Sequence, residues 1–117
     1  MSLSIEMITV DCVDPARLAQ WWAAAISGEA AVLAIGDFLL VVGDAPPALG
    51  FQKVDVPTPG KNRLHLDFTA TDVDAEVERL VGLGAVETDR HSVPGGLRWV
   101  VLADPEGNLF CVAAPNA

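Results

Sequence analysis

The sequence predicts an α+β protein of two βαβββ modules, whose strands form an open, half-barrel-like mixed sheet around a cleft. Three observations predict it. First, Leu64, Leu66, Phe68 and Ala70 alternate with His65, Asp67, Thr69 and Thr71, the period of a strand with one apolar and one polar face. Second, the same grammar stands near the N-terminus, where Ile8, Val10 and Cys12 alternate with Met7, Thr9 and Asp11. Asp14 and Asp72, which open the following helical patterns, are 58 residues apart. Third, each helical pattern is followed by three short strand patterns separated by Gly-, Pro- and Asp-containing turns.

Module one spans about residues 5–54. Its first strand, residues 5–13, runs into Asp14-Pro15. Asp is a good N-cap, and Pro fits the first helical turn because its missing N–H would have no partner there. Leu18, Trp21, Trp22, Ala25 and Ile26 make an apolar stripe at helical spacing. The two tryptophans are read as core, and Ser27-Gly28 as the stop. Strands are predicted over 31–35, 38–42 and 48–54, joined by a Gly36-Asp37 turn and a turn over 43–47. Residues 55–62, with Pro57, Pro59 and Gly60, form the linker.

Module two spans about residues 63–114. After the 64–71 strand, Asp72 caps a helix with the stripe Val73, Val77, Leu80 and Val81. Asp74 and Glu76 suit the positive end of its dipole, and Gly84 stops it. Strands are predicted over 86–91, 97–103 and 108–114. Asp104, Pro105 and Gly107 occupy the places those residues favour in a type I turn. Trp22, Leu18, Val77 and Leu80 are expected between helix and sheet. The polar faces of the first strand of each module are expected to line a shared cleft.

Composition narrows the function. The chain of 117 residues is 51% hydrophobic, with mean hydropathy +0.38, and is read as one domain with a full core. Sixteen acidic and seven basic residues give a net charge of −9. No basic patch exists to neutralise phosphates, so nucleic acid is not an expected partner. No apolar run is long enough for a bilayer and no signal pattern opens the chain, so no membrane partner and a cytoplasmic location are expected. Cys12 and Cys111 lie in strand patterns with no Cys-x-x-Cys spacing and are read as buried thiols. No nucleophile triad and no phosphate loop is spaced correctly.

The local motifs resemble those of the vicinal oxygen chelate superfamily, which includes glyoxalase I, bleomycin-resistance proteins and extradiol dioxygenases. They are Asp14-Pro15 to Trp22, His65-Leu66-Asp67 with Asp72-Val73-Asp74, Leu83-Gly84-Ala85, and Asp104-Pro105-Glu106-Gly107-Asn108. The last is the most specific. The chain is most similar to the small glyoxalase-like proteins of actinobacteria. The resemblance implies a glyoxalase-like fold and a divalent metal held by His or Gln, Glu, His and Glu from four strands. Carried over, the first position falls on Met7, the third on His65 and the fourth on Cys111; Gln52 is the nearest polar candidate for the second. Only the third keeps the family residue.

A hard or borderline divalent ion wants imidazole and carboxylate ligands. A thioether, a neutral amide and a buried thiol form a poor cage for it. The expectation is therefore a degenerate tetrad, no metal cofactor, no stoichiometric transition metal at the family position, and a small organic molecule bound in the cleft. The expected ligand-binding residues are Asp11, Gln52, His65, Asp67 and Cys111. The alternative is a metal-dependent lyase, isomerase or dioxygenase with an altered ligand set, for which His65, Asp67 and Asp11 offer a shifted cage. A third reading is an interaction domain with a vestigial cleft.

Each residue also has a structural role open to it. His65 can bond Asp67, Asp67 can pair with Arg63 or Arg98, and Asp11 can accept backbone N–H groups. Cys111 fits a core, and His91 reads as solvated on an edge strand, outside the site. Sheet edges and the family's habit together predict a homodimer, which light scattering at micromolar concentration tests; a monomer there removes it.

Overall fold

A computed structural model describes residues 2, 4–27, 30–35, 38–43, 47–60, 62, 64–95 and 98–115. The chain divides into two compact units, Met1–Pro57 and Thr58–Ala117. Gly28, the turn at 36–37, residues 44–46, Arg63 and Leu97 carried expectations and lie outside the described residues.

The first unit contains β1 (Met7–Cys12), α1 (Pro15–Ile26), β2 (Ala31–Ile35), β3 (Phe38–Val42) and β4 (Ala48–Lys53). The sheet order is β1-β4-β3-β2. β1 runs parallel to β4, which the α1 crossover permits, and the remaining pairs are antiparallel hairpins. Asp14 caps α1 by accepting from the Arg17 N–H at 3.2 Å, with Pro15 in the first turn. Leu18 and Trp22 are buried as expected, together with Ala19, Ala23 and Ala25. The predicted stripe was too wide on one side: Ile26, the last residue of α1, is 43% exposed. Trp21 packs edge-on against Trp22, ring centroids 5.0 Å apart. Cys12 is fully buried, and its thiol donates to the Gln52 carbonyl at 3.7 Å.

The second unit repeats the order: β5 (Leu66–Thr69), α2 (Val73–Gly82), β6 (Val86–Ser92), β7 (Arg98–Ala103) and β8 (Leu109–Ala113). Its sheet is β5-β8-β7-β6, with β5 parallel to β8. α2 packs on β6, β7 and β8, burying Val73, Val77 and Leu80. Val81 was expected in that stripe but is 45% exposed, because one residue beyond Leu80 turns about 100° away from the sheet. The helix ends as the glycine rule requires. Gly84 has φ +114°, its N–H donates to Val81 O, and Ala85 N–H reaches back to Leu80 O, a Schellman stop that a Cβ would strain.

β5 is shorter than the alternation suggested, and Asn62 gives the reason. Its side-chain oxygen accepts the Leu109 N–H at 3.1 Å and its amide donates to the Leu109 carbonyl at 3.4 Å and to the Leu64 carbonyl. The side chain of Asn62 thus takes up backbone groups that a longer ladder would use, and Leu64 is left 83% exposed.

β6 is an edge strand exposed along its whole length. Arg90 on it grips Glu87 through two bonds of 2.9 and 2.8 Å, and Asp74 at the start of α2 at 2.9 Å. These bonds hold both carboxyls below their ordinary range and push the guanidinium up. Arg98, weighed as a partner for Asp67, pairs instead with Asp74 at 3.7 Å. Among the described residues, no helix is long and apolar enough to cross a membrane.

Candidate functional site

In the second unit, strand periodicity sorts the chemistry onto one face. Val100, Leu102, Phe110 and Val112 are buried, and their alternation sends the intervening residues of β7 and β8 to the opposite face. His65, Asp67 and Thr69 share that face with Trp99 and Cys111, and together they line an open trough of about 590 Å³. Register brings the polar groups together, since Asp67 is the cross-strand partner of Cys111. His65 Nδ1 lies 3.4 Å from Asp67 Oδ1 and 3.9 Å from Cys111 Sγ. The three donor atoms are all within 4.8 Å of one another. Cys111 is 6% exposed; the His65 and Asp67 side chains are 43% and 68% exposed. The group is therefore a buried thiol with a wet imidazole and carboxylate above it.

The other wall is aromatic, and the residue reading missed it. His91 and Trp99 are cross-strand partners, with rings stacked 5.0 Å apart at 25°. His91 Nε2 also meets Asp89 Oδ2 at 3.1 Å. His91 is exposed on an edge strand as read, but it lines the trough and is not outside it. The available signal was the parity of β7: Trp99 alternates with Val100 and Leu102, so it belongs to the face of Val101 and Cys111.

The first unit shows what became of the matching positions. The 58-residue offset sets Met7 against His65 and Thr9 against Asp67. Thr9 pairs with Gly50, as Asp67 pairs with Cys111. A Cβ on Gly50 would come within 3.0 Å of Met7 Sδ and 3.1 Å of Thr9 Oγ1. A side chain at position 50 would make Met7 and Thr9 give by a few tenths of an ångström, and as it stands the β4 counterpart of Cys111 has no side chain at all. Gln52 lies two residues further along β4, exposed, with Asp11 as its register partner. The sequence-predicted residues thus fall into two sets. Asp11 and Gln52 pair in the first unit, while His65, Asp67 and Cys111 converge in the second.

A family profile described as a glyoxalase-like domain matches residues 7–113, which takes in every strand and both helices. The chain belongs to this glyoxalase-like family. Solved structures agree on the fold. A glyoxalase/bleomycin resistance protein/dioxygenase family enzyme from Burkholderia phytofirmans PsJN superposes with TM-score 0.78 at 17% identity, covering 93% of this chain and 96% of that one. A superfamily member from Sphaerobacter thermophilus DSM 20745 gives 0.75 at 15%, covering 97% and 98%. Lactoylglutathione lyase from Agrobacterium tumefaciens gives 0.67 at 20%, covering 97% and 95%. Vicinal oxygen chelate membership follows. No curated protein matches the chain.

Met7 and Gln52, the first-unit candidates for the tetrad that the resemblance implies, carry neither imidazole nor carboxylate, so they offer no charge to offset the dehydration of a hard divalent ion.

Proposed function

We propose that this glyoxalase-like chain binds a small organic molecule in the trough of its second unit, without a metal at the four family positions. The observation that carries the reading is the pairing of two unlike walls. A stacked Trp99–His91 pair offers an aromatic face, and His65 with Asp67 offers hydrogen bonds opposite an apolar floor. Ligand sites combine a mostly apolar lining with a few orienting polar groups, in volumes of roughly 300–1,000 Å³. A metal-dependent lyase, isomerase or dioxygenase with an altered ligand set is the second reading, favoured by the convergence of His65, Asp67 and Cys111.

The test is a thermal-shift screen of a metabolite and antibiotic panel on protein of known metal content. For any ligand found, His65→Ala is expected to weaken binding by about 0.5–1.5 kcal/mol, and up to about 3 if the bonded group is charged. Trp99→Ala is expected to lose about 0.5–1.5 kcal/mol of aromatic contact beyond buried area. His91→Ala should cost less than His65→Ala, since Asp89 already occupies its Nε2. A ligand whose affinity ignores both His65 and Trp99 removes the trough as its site. One Ni, Fe, Mn or Zn per chain as isolated, lost on changing His65, removes the metal-free reading and promotes the second.

A further inference from the structure

We propose that the trough takes an electrophilic ligand, an apolar α,β-unsaturated carbonyl compound, and that Cys111 adds to it with His65 as the base. The inference rests on the reading that a small organic molecule occupies the trough without a metal. No nucleophile and base are adjacent in the sequence, but the β5–β8 register brings a thiol, an imidazole and a carboxylate together. Cys111 Sγ lies 3.9 Å from His65 Nδ1. A nucleophile and its base stand at such loose separations before a substrate tightens the pair. Asp67 Oδ1 lies 3.4 Å from that same nitrogen. In the tautomer with its hydrogen on Nε2, His65 takes the thiol proton on Nδ1, and the Asp67 carboxylate then accepts the new N–H and steadies the imidazolium.

The step balances on these groups alone. A sulfur–carbon bond forms at the β-carbon as the carbon–carbon double bond opens. The thiol proton passes to His65 Nδ1 and from there to the α-carbon, leaving a thioether. Nothing is oxidised and no group departs. The walls select the body of the ligand, since Phe68, Trp99, Val101 and Leu109 line the same trough. Burial selects the route. Cys111 is 6% exposed and lines the trough, so it meets a molecule seated there and is screened from reagent in bulk solvent. Cys12 is fully buried, with its thiol on the Gln52 carbonyl, and is the control within the same chain.

The experiment incubates the chelator-treated full chain with benzalacetone, an aromatic enone, and follows the adduct by mass. Benzylacetone, the saturated counterpart, cannot react and reports seating alone by thermal shift. One adduct per chain is expected, on Cys111 and not on Cys12. Its rate should saturate with enone and exceed that of N-acetylcysteine at the same pH. His65→Gln should lower the saturated rate about 100-fold, a positioned base being worth about 10²–10⁴-fold. Loss of binding alone would raise only the enone concentration at half-saturation. Asp67, a positioning residue, should show a smaller loss in Asp67→Asn and recovery in Asp67→Glu. Cys111→Ser should abolish the adduct and keep benzylacetone binding. A Cys111 rate no higher than that of N-acetylcysteine, or a saturated rate that ignores His65→Gln, overturns the proposal. Benzylacetone seated in the trough, with no enone adduct formed, overturns it too while leaving the trough as a binding site.

Discussion

Leu80→Ala is expected to lower the unfolding free energy by about 2–5 kcal/mol, the usual cost of a buried leucine truncated in a packed core. Leu80 is 4% exposed and closes the apolar stripe of α2 that begins with Val73 and Val77. That helix lies on β6, β7 and β8, so the lost methyl groups leave a void bounded by rigid strands. Such a site relaxes little, which places the cost within the range and not below it. The adjacent Val81, 45% exposed, is the internal control. Val81→Ala should stay within about 0.5 kcal/mol. Urea unfolding of the two variants separates the faces of one helix. A Leu80→Ala cost below about 1 kcal/mol would place Leu80 outside the core.

The elements most legible in the sequence were those whose signals agreed across levels. Asp72, the Val73–Val77–Leu80 spacing and Gly84 each specify α2 by a separate mechanism: a cap, an apolar face and a left-handed stop. The duplicated order was readable because β1 and β5 carry the same alternation before an Asp. Strand ends were less legible. β5 stops where Asn62 takes up the backbone groups of Leu109, a contact 47 residues apart that no local pattern announces. In the site, His65 and Asp67 were legible as residues of one strand face, and Cys111 only through the family position it occupies. Their convergence depended on the β5–β8 register, which a parallel crossover leaves free in sequence. Gly50 was invisible as a counterpart of Cys111 for the same reason. His91 was misplaced because exposure on an edge strand was taken to mean distance from the trough, and the two are compatible.

Asp104→Ala is the second large effect expected, about 3 kcal/mol of stability. Asp104 is 4% exposed, the buried charged residue among those described. Its Oδ1 accepts the N–H of Glu106 and of Asn108, each at 2.9 Å, and the Asn108 side-chain amide spans both carboxylate oxygens at 3.2 and 3.0 Å. Hydrogen bonds to a charged acceptor are worth about 1.5–3 kcal/mol each, and alanine would strand two part-buried backbone donors at once. Gly107, at φ +88°, donates to the Asp104 carbonyl to close the turn, but that bond uses the backbone and survives the substitution. Asp104→Asn keeps one acceptor oxygen and should cost less than half as much. The loss should also reach the trough. This turn joins β7 to β8 and fixes the pairing of Val101 with Cys111 and Ala103 with Leu109, so loosening it frees the strand that carries the thiol. Hydrogen exchange should report it: the amides of β8 are expected to open faster in Asp104→Ala than in Leu80→Ala at matched global stability. Equal opening in the two variants would confine the role of Asp104 to stability alone.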